Sequence, residues 1–108
     1  MTVDLPIGAD TSVEYNYNWQ PAEPDYPAYR TVWSPYFDEK AGIRAVATQL
    51  ADGTLCTDGD DAPHVYIDMD AYTPADARAL AAALTAAANL ADLWASLARG
   101  IRAVGAVR

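Results

Sequence analysis

Asp58, Asp60, Asp61, Asp68 and Asp70 form the densest carboxylate group in this chain of 108 residues. Hard cations such as Ca²⁺ and Mg²⁺ favour such oxygens. The spacing does not match a calcium-binding loop, which alternates its ligands and closes on a glutamate. A solvated acidic surface is therefore the favoured reading, and no metal or cofactor is assigned. The alternative is a small metal-dependent binder or hydrolytic enzyme using Asp58, Asp60, Asp68 and Asp70 with His64. Cys56 and His64 could pair as nucleophile and base across the intervening loop. Each is the sole residue of its kind, nothing orients the imidazole, and no oxyanion donor is evident, so no catalytic residue is assigned.

The other chemistry-bearing residues are aromatic. Residues 1–37 hold five of the seven tyrosines, two of the three tryptophans and five of the seven prolines. The segment Pro21-Ala22-Glu23-Pro24-Asp25-Tyr26-Pro27 suits neither a helix interior nor a central strand. Residues 1–29 thus read as an extended arm. Its rings either lie over the sheet and close the core, or Tyr15, Tyr17, Trp19 and Tyr26 form a partner-binding strip.

These groups must be positioned by a sheet and a helix. Residues 30–37 are rich in strand formers, with Pro35 pointing to an edge. Residues 43–50 read as a second strand. Asp52-Gly53 is a hairpin signal of the type that needs positive φ at both positions, and residues 54–57 continue as a short third strand. Residues 64–72 alternate, with Val65, Ile67 and Met69 on one side and Tyr66, Asp68 and Asp70 on the other, as in a sheet with one covered face.

The cover is supplied by a helix beginning at Thr73-Pro74-Ala75-Asp76. Thr73 suits the cap, Pro74 the first helical position, and Asp76 the positive end of the dipole. Leu80, Leu84, Ala87, Leu90, Ala91, Trp94, Leu97 and Ile101 share one broad side. Such a helix overhangs a small sheet. Its far part should then pack against a second copy, with Leu90, Leu93, Trp94, Leu97 and Ile101 as possible homodimer contacts. Arg99, Arg102 and Arg108, interleaved with Ile101, Val104 and Val107, suit the negative end of the dipole better than a membrane or DNA contact. The expected fold is α+β: an antiparallel meander of three to four strands, covered on one face by one long C-terminal helix, with residues 30–108 as a single domain.

Composition narrows the function classes. The net charge of −8 is uneven, about −10 over residues 1–72 and +2 over residues 73–108. An acidic body discourages direct binding to nucleic acid and permits a protein partner with a basic surface. No uninterrupted apolar run approaches the ~20 residues of a bilayer span, and the N-terminus lacks a signal-peptide pattern. One cysteine offers no internal disulfide framework. A cytoplasmic setting without membrane contact is expected.

Residues 42–97 carry Ile43-Arg44-Ala45-Val46-Ala47, the Asp52-Gly53 turn, Val65-Tyr66-Ile67-Asp68, and the alanine-rich run from Tyr72-Thr73-Pro74 through Leu90-Ala91-Asp92. This segment resembles a family of small uncharacterised proteins of actinobacteria and their phages. Members of that family often carry Cys and His in the N-terminal half, where this chain has Trp33-Ser34-Pro35. The resemblance implies an origin and a fold, with host cytoplasm as the setting of a phage-encoded protein, but no chemistry. The functional expectation is a non-enzymatic protein-interaction module, such as a phage-encoded binder or inhibitor directed at a host protein.

Overall fold

The computed structural model describes residues 3–68 and 72–107, with side chains as far as Ala98. Met69 and Asp70, the side chains of Arg99, Ile101, Arg102, Val104 and Val107, and all of Arg108 therefore lie outside the described residues. Strands β1 (Tyr29–Trp33), β2 (Arg44–Leu50) and β3 (His64–Tyr66) form an antiparallel sheet in the order β1-β2-β3, and helix α1 (Pro74–Val107) follows. The architecture is α+β, as the sequence pattern predicts.

The start of α1 follows its local chemistry. The Thr73 hydroxyl accepts the Asp76 N–H at 3.2 Å and the Thr73 carbonyl accepts the Ala77 N–H at 2.8 Å. The first engages a donor that a helix N-terminus leaves without an intrahelical partner, and the second is the first i→i−4 bond of the helix.

Register decides which residues face α1. Val32 pairs with Ala47 and Ala45 with Val65, so these four share the helix-facing side. Ala45, Ala47, Leu55, Ala91, Trp94 and Ala98 form one buried cluster; Ala41, Ile43, Leu80 and Ala87 form a second, and Val65 packs against both. Trp94 is fully buried. Its large ring fits because four of its cluster neighbours are alanines, which keep the helix and sheet backbones close enough to pack at interior density.

Three expectations about the sheet change. Residues 54–57 are not a strand in their own right. The Leu50 N–H bonds the Thr54 carbonyl at 2.8 Å, the Cys56 N–H bonds the Thr48 carbonyl at 2.9 Å, and Leu55 bridges Gln49. This segment lines the last part of β2, while β3 takes the first part. The turn also departs from expectation, since Gly53 has positive φ and Asp52 does not. A single positive-φ glycine suits a longer, bulged hairpin loop. Residues 64–72 shorten to a three-residue β3, yet the Asp68 N–H still reaches the Ala41 carbonyl at 2.7 Å. Gly42 makes that approach possible: its φ is +63°, and a Cβ there would lie 2.9 Å from the Asp68 Cβ.

The arm is folded back rather than extended throughout. A short 3₁₀ turn, Glu14–Tyr17, interrupts it. The Asp10 N–H bonds the Trp33 carbonyl at 2.9 Å, and Gly8 lies against Leu90. Buried Asn16 donates to the carbonyls of Asp10 (2.8 Å) and Trp33 (2.7 Å) and accepts the Trp33 N–H (2.9 Å). Its amide therefore acts as a one-residue strand at the β1 edge, which would otherwise expose a peptide group ready to pair with another chain.

Residues Pro74–Ala98 also reach the length and apolarity of a membrane-crossing helix, with a mean hydropathy of 1.3 over the best window. The expectation counted unbroken apolar runs and passed over this helix, whose alanines raise the mean between its few polar residues. In this fold one side of the helix packs on the sheet and the arm.

Candidate interaction surface

The sheet face opposite α1 carries the densest set of recognition-type side chains. Arg44 and Tyr66 are register partners, and Trp33 lies opposite Val46, one row along the same face. The Arg44 guanidinium carbon sits 3.9 Å from the Trp33 ring centroid and 4.6 Å from that of Tyr36. Its Nη1 donates to the Tyr15 hydroxyl at 2.9 Å. Trp33 and Tyr66 meet edge to face, with centroids 5.4 Å apart. Stacking between rings attracts the cation electrostatically and covers its Nε, which is buried without a hydrogen-bond acceptor. The ion pair of the described residues, Lys40–Asp76 at 3.8 Å, lies elsewhere.

Two of the rings that hold Arg44 are half exposed, Tyr15 at 44% and Tyr36 at 49%, as is Tyr66 at 48%, which packs on Trp33. Rigid rings of this kind lose little conformational freedom on binding. Tyr, Trp and Arg are also the types that dominate interface hot spots.

The four arm aromatics do not line up as one strip. Tyr15 joins Arg44 on the open face. Trp19 stacks on Arg30, with the guanidinium 4.3 Å from the ring. Arg30 pairs with Gln49, on the opposite sheet face from Arg44. Its Nε donates to Gln49 Oε1 at 2.8 Å and Nη2 to the Val3 carbonyl at 2.7 Å. Burial pushes the Arg30 pKa down, because the charged form has lost water. Tyr17 donates to the Thr11 carbonyl at 2.9 Å within the arm. The arm thus splits its aromatics between two faces, because the 3₁₀ turn wraps the β1 edge.

Tyr26 is placed elsewhere again. Its hydroxyl donates to Asp61 Oδ2 at 2.8 Å and lies 3.7 Å from Cys56 Sγ. The bond to the carboxylate, with a smaller contribution from the thiol, pushes the phenol pKa well up. These groups border a cavity of about 380 Å³ between the Tyr26-Pro27 turn, the β2 hairpin and Ala98.

The carboxylate group divides: Asp58 and Asp61 border this cavity, Asp68 does not, and Asp70 lies outside the described residues. Among the described residues no cluster of three His, Cys, Asp or Glu side chains could hold a metal. Asp61 faces Tyr26, whereas the Asp68 backbone is tied to Ala41. His64 Nδ1 lies 2.8 Å from the Ala62 carbonyl, and Cys56 has Tyr26 for its neighbour, so the pair considered for nucleophilic chemistry is not assembled.

On α1, Leu93 and Leu97 are 43% and 38% exposed, and Leu90 is half-buried. Trp94 requires correction as a dimer contact. It is fully buried within its own chain, and its indole N–H donates to the Ile7 carbonyl at 2.6 Å. The arm supplies the cover that a second copy was expected to supply.

Arg44, Trp33, Tyr36 and Tyr66 were not singled out from the sequence. Alternation in β2 places Arg44 opposite Ala45 and Ala47 in facing, but its ring partners emerge only from strand pairing. Comparisons with protein-family models, curated proteins and solved structures find no match for this chain.

Proposed function

We propose that this protein is a non-enzymatic protein-interaction module that engages its partner through the open sheet face around Arg44. The observation that carries this reading is the convergence of Arg44, Trp33, Tyr36, Tyr66 and Tyr15 on one half-exposed face that α1 leaves uncovered. The prevailing charge of −8 would steer a partner with a basic surface towards this protein. The resemblance of residues 42–97 to actinobacterial and phage proteins makes a bacterial host protein the partner of choice, with the cytoplasm as the setting. Among the described residues no cluster of His, Cys, Asp or Glu favours the metal-dependent or hydrolytic alternative, and Asp70 lies outside them.

The test is affinity capture from actinobacterial lysate with wild-type protein and with the Tyr36→Ala/Tyr66→Ala double variant. Both tyrosines are about half exposed, so the variant should keep its melting temperature within a few degrees. A partner retained by wild type and lost by the variant supports the reading. Identical capture profiles from the two folded proteins overturn it.

A second reading is favoured by the exposed Leu93 and Leu97. They extend the apolar stripe of α1 past the part that the sheet and arm cover, and they suit self-association of the module along that ridge.

A further inference from the structure

We propose that the cavity beside Tyr26 binds a small organic amine with an apolar body. Its volume of about 380 Å³ falls in the range of small-molecule sites. Pro27, Leu50, Leu55 and Ala98 supply apolar wall, and Asp58 and Asp61 supply acidic wall. No Lys, Arg or His lines it among the described residues.

Two hydroxyls of the wall have assigned roles. The Tyr26 hydroxyl donates to Asp61 Oδ2, and the Thr54 hydroxyl donates to Asp52 Oδ1 at 2.7 Å. Asp61 therefore keeps lone pairs on its other oxygen, and Asp58 adds a second carboxylate. Unfilled capacity is on the acceptor side, so a ligand that brings donors and positive charge fits, whereas an anion would meet two like charges. The bond from Tyr26 also fixes the Asp61 carboxylate in place, so little freedom remains to be lost when an ammonium group binds. The apolar wall then takes the hydrocarbon part, and Leu55, buried in the main cluster, anchors that wall to the core.

Cys56 gives a direct reporter, because it borders the cavity and is the chain's single cysteine. The full-length protein is titrated at neutral pH with benzylamine, which is protonated, and with benzyl alcohol, its neutral counterpart. The readouts are thermal melting and the rate of Cys56 alkylation by iodoacetamide. The expected result is saturable protection of Cys56 and a rise in melting temperature with benzylamine, at a concentration at least tenfold lower than benzyl alcohol requires. Asp61→Asn should remove that preference, while Tyr26→Phe, which removes the hydroxyl and leaves Asp61 free, should keep it. Equal affinity for amine and alcohol, no protection of Cys56, or an amine preference that survives Asp61→Asn overturns the proposal. The comparison of amine with alcohol on the wild-type protein decides the matter even if a variant does not fold.

Discussion

Trp94 and Ile7 stand 87 residues apart in the chain, yet the indole N–H of one meets the carbonyl of the other at 2.6 Å. This bond fastens the N-terminal arm to the C-terminal helix over the larger core cluster. Trp94→Phe keeps a ring in the core but leaves a cavity and an unpaired carbonyl. A loss of about 2–3 kcal/mol in urea unfolding is expected, together with faster proteolytic cleavage of the arm around Ile7. Unchanged stability and cleavage would mean that the arm is held by other contacts.

Asn16 is fully buried and makes three hydrogen bonds to backbone groups of Asp10 and Trp33. Asn16→Ala takes these partners from the Asp10 carbonyl and the Trp33 N–H, while the Trp33 carbonyl keeps its bond from the Asp10 N–H, and should cost about 2–4 kcal/mol. Asn16→Asp keeps the shape but, when ionised, turns acceptors towards two carbonyls. Its deficit relative to wild type should narrow as pH falls towards about 4, the ordinary aspartate value, because the buried carboxyl takes up a proton before unfolded chains do and so regains a donor. Chemical denaturation of the three proteins at neutral and acid pH measures both effects.

Tyr26 contributes to stability on the alkaline side. Its pKa is raised in the fold, so the native state holds the phenol proton after unfolded chains have released theirs. The contribution is fully present below the ordinary tyrosine pKa and falls away as pH rises above about 10. In a phenolate absorbance titration one tyrosine should ionise only as the protein unfolds, and Tyr26→Phe should abolish that late step. At the acid end, the Asp10 and Asp52 pKa values are lowered by bonds from Ser12 and Thr54 respectively, the side-chain hydroxyl first and the backbone N–H second. Their contribution is present above the ordinary carboxylate pKa and disappears as pH falls through the lowered values.

Leu93 and Leu97 test self-association without disturbing the core. Leu93→Glu/Leu97→Glu should cost the monomer about 1–2 kcal/mol, because the two side chains are 43% and 38% exposed and keep part of their apolar surface covered. If the ridge pairs two copies, wild type sediments as a dimer at micromolar concentration and the double variant as a monomer. A monomeric wild type removes the self-association reading.

The helix was legible because its signals are local. Thr73 and Pro74 mark its start within one turn, and the recurrence of Leu80, Ala87, Ala91 and Trp94 marks its buried side. The antiparallel strands were legible from alternation and from the turn residues between them. The candidate surface was not. Arg30 and Arg44 look alike in the sequence, yet β-pairing sends one to a buried bond with Gln49 and the other to a stack of rings on the open face.

Asn16, Trp94 and Tyr26 make the same point at longer range. A polar residue in an arm gives no local sign that it will complete a strand edge, and a helical tryptophan gives none that an arm will cover it. Tyr26 finds Cys56 and Asp61, 30 and 35 residues onward, only when the hairpin and the following loop close beside it. Backbone preference and capping act over a few residues, so the sequence by itself determined the helix, the meander and the acidic balance. Which faces meet depends on strand register and on the burial of distant surfaces together, so tertiary structure alone decided the Arg44 surface, the folded arm and the cavity beside Tyr26.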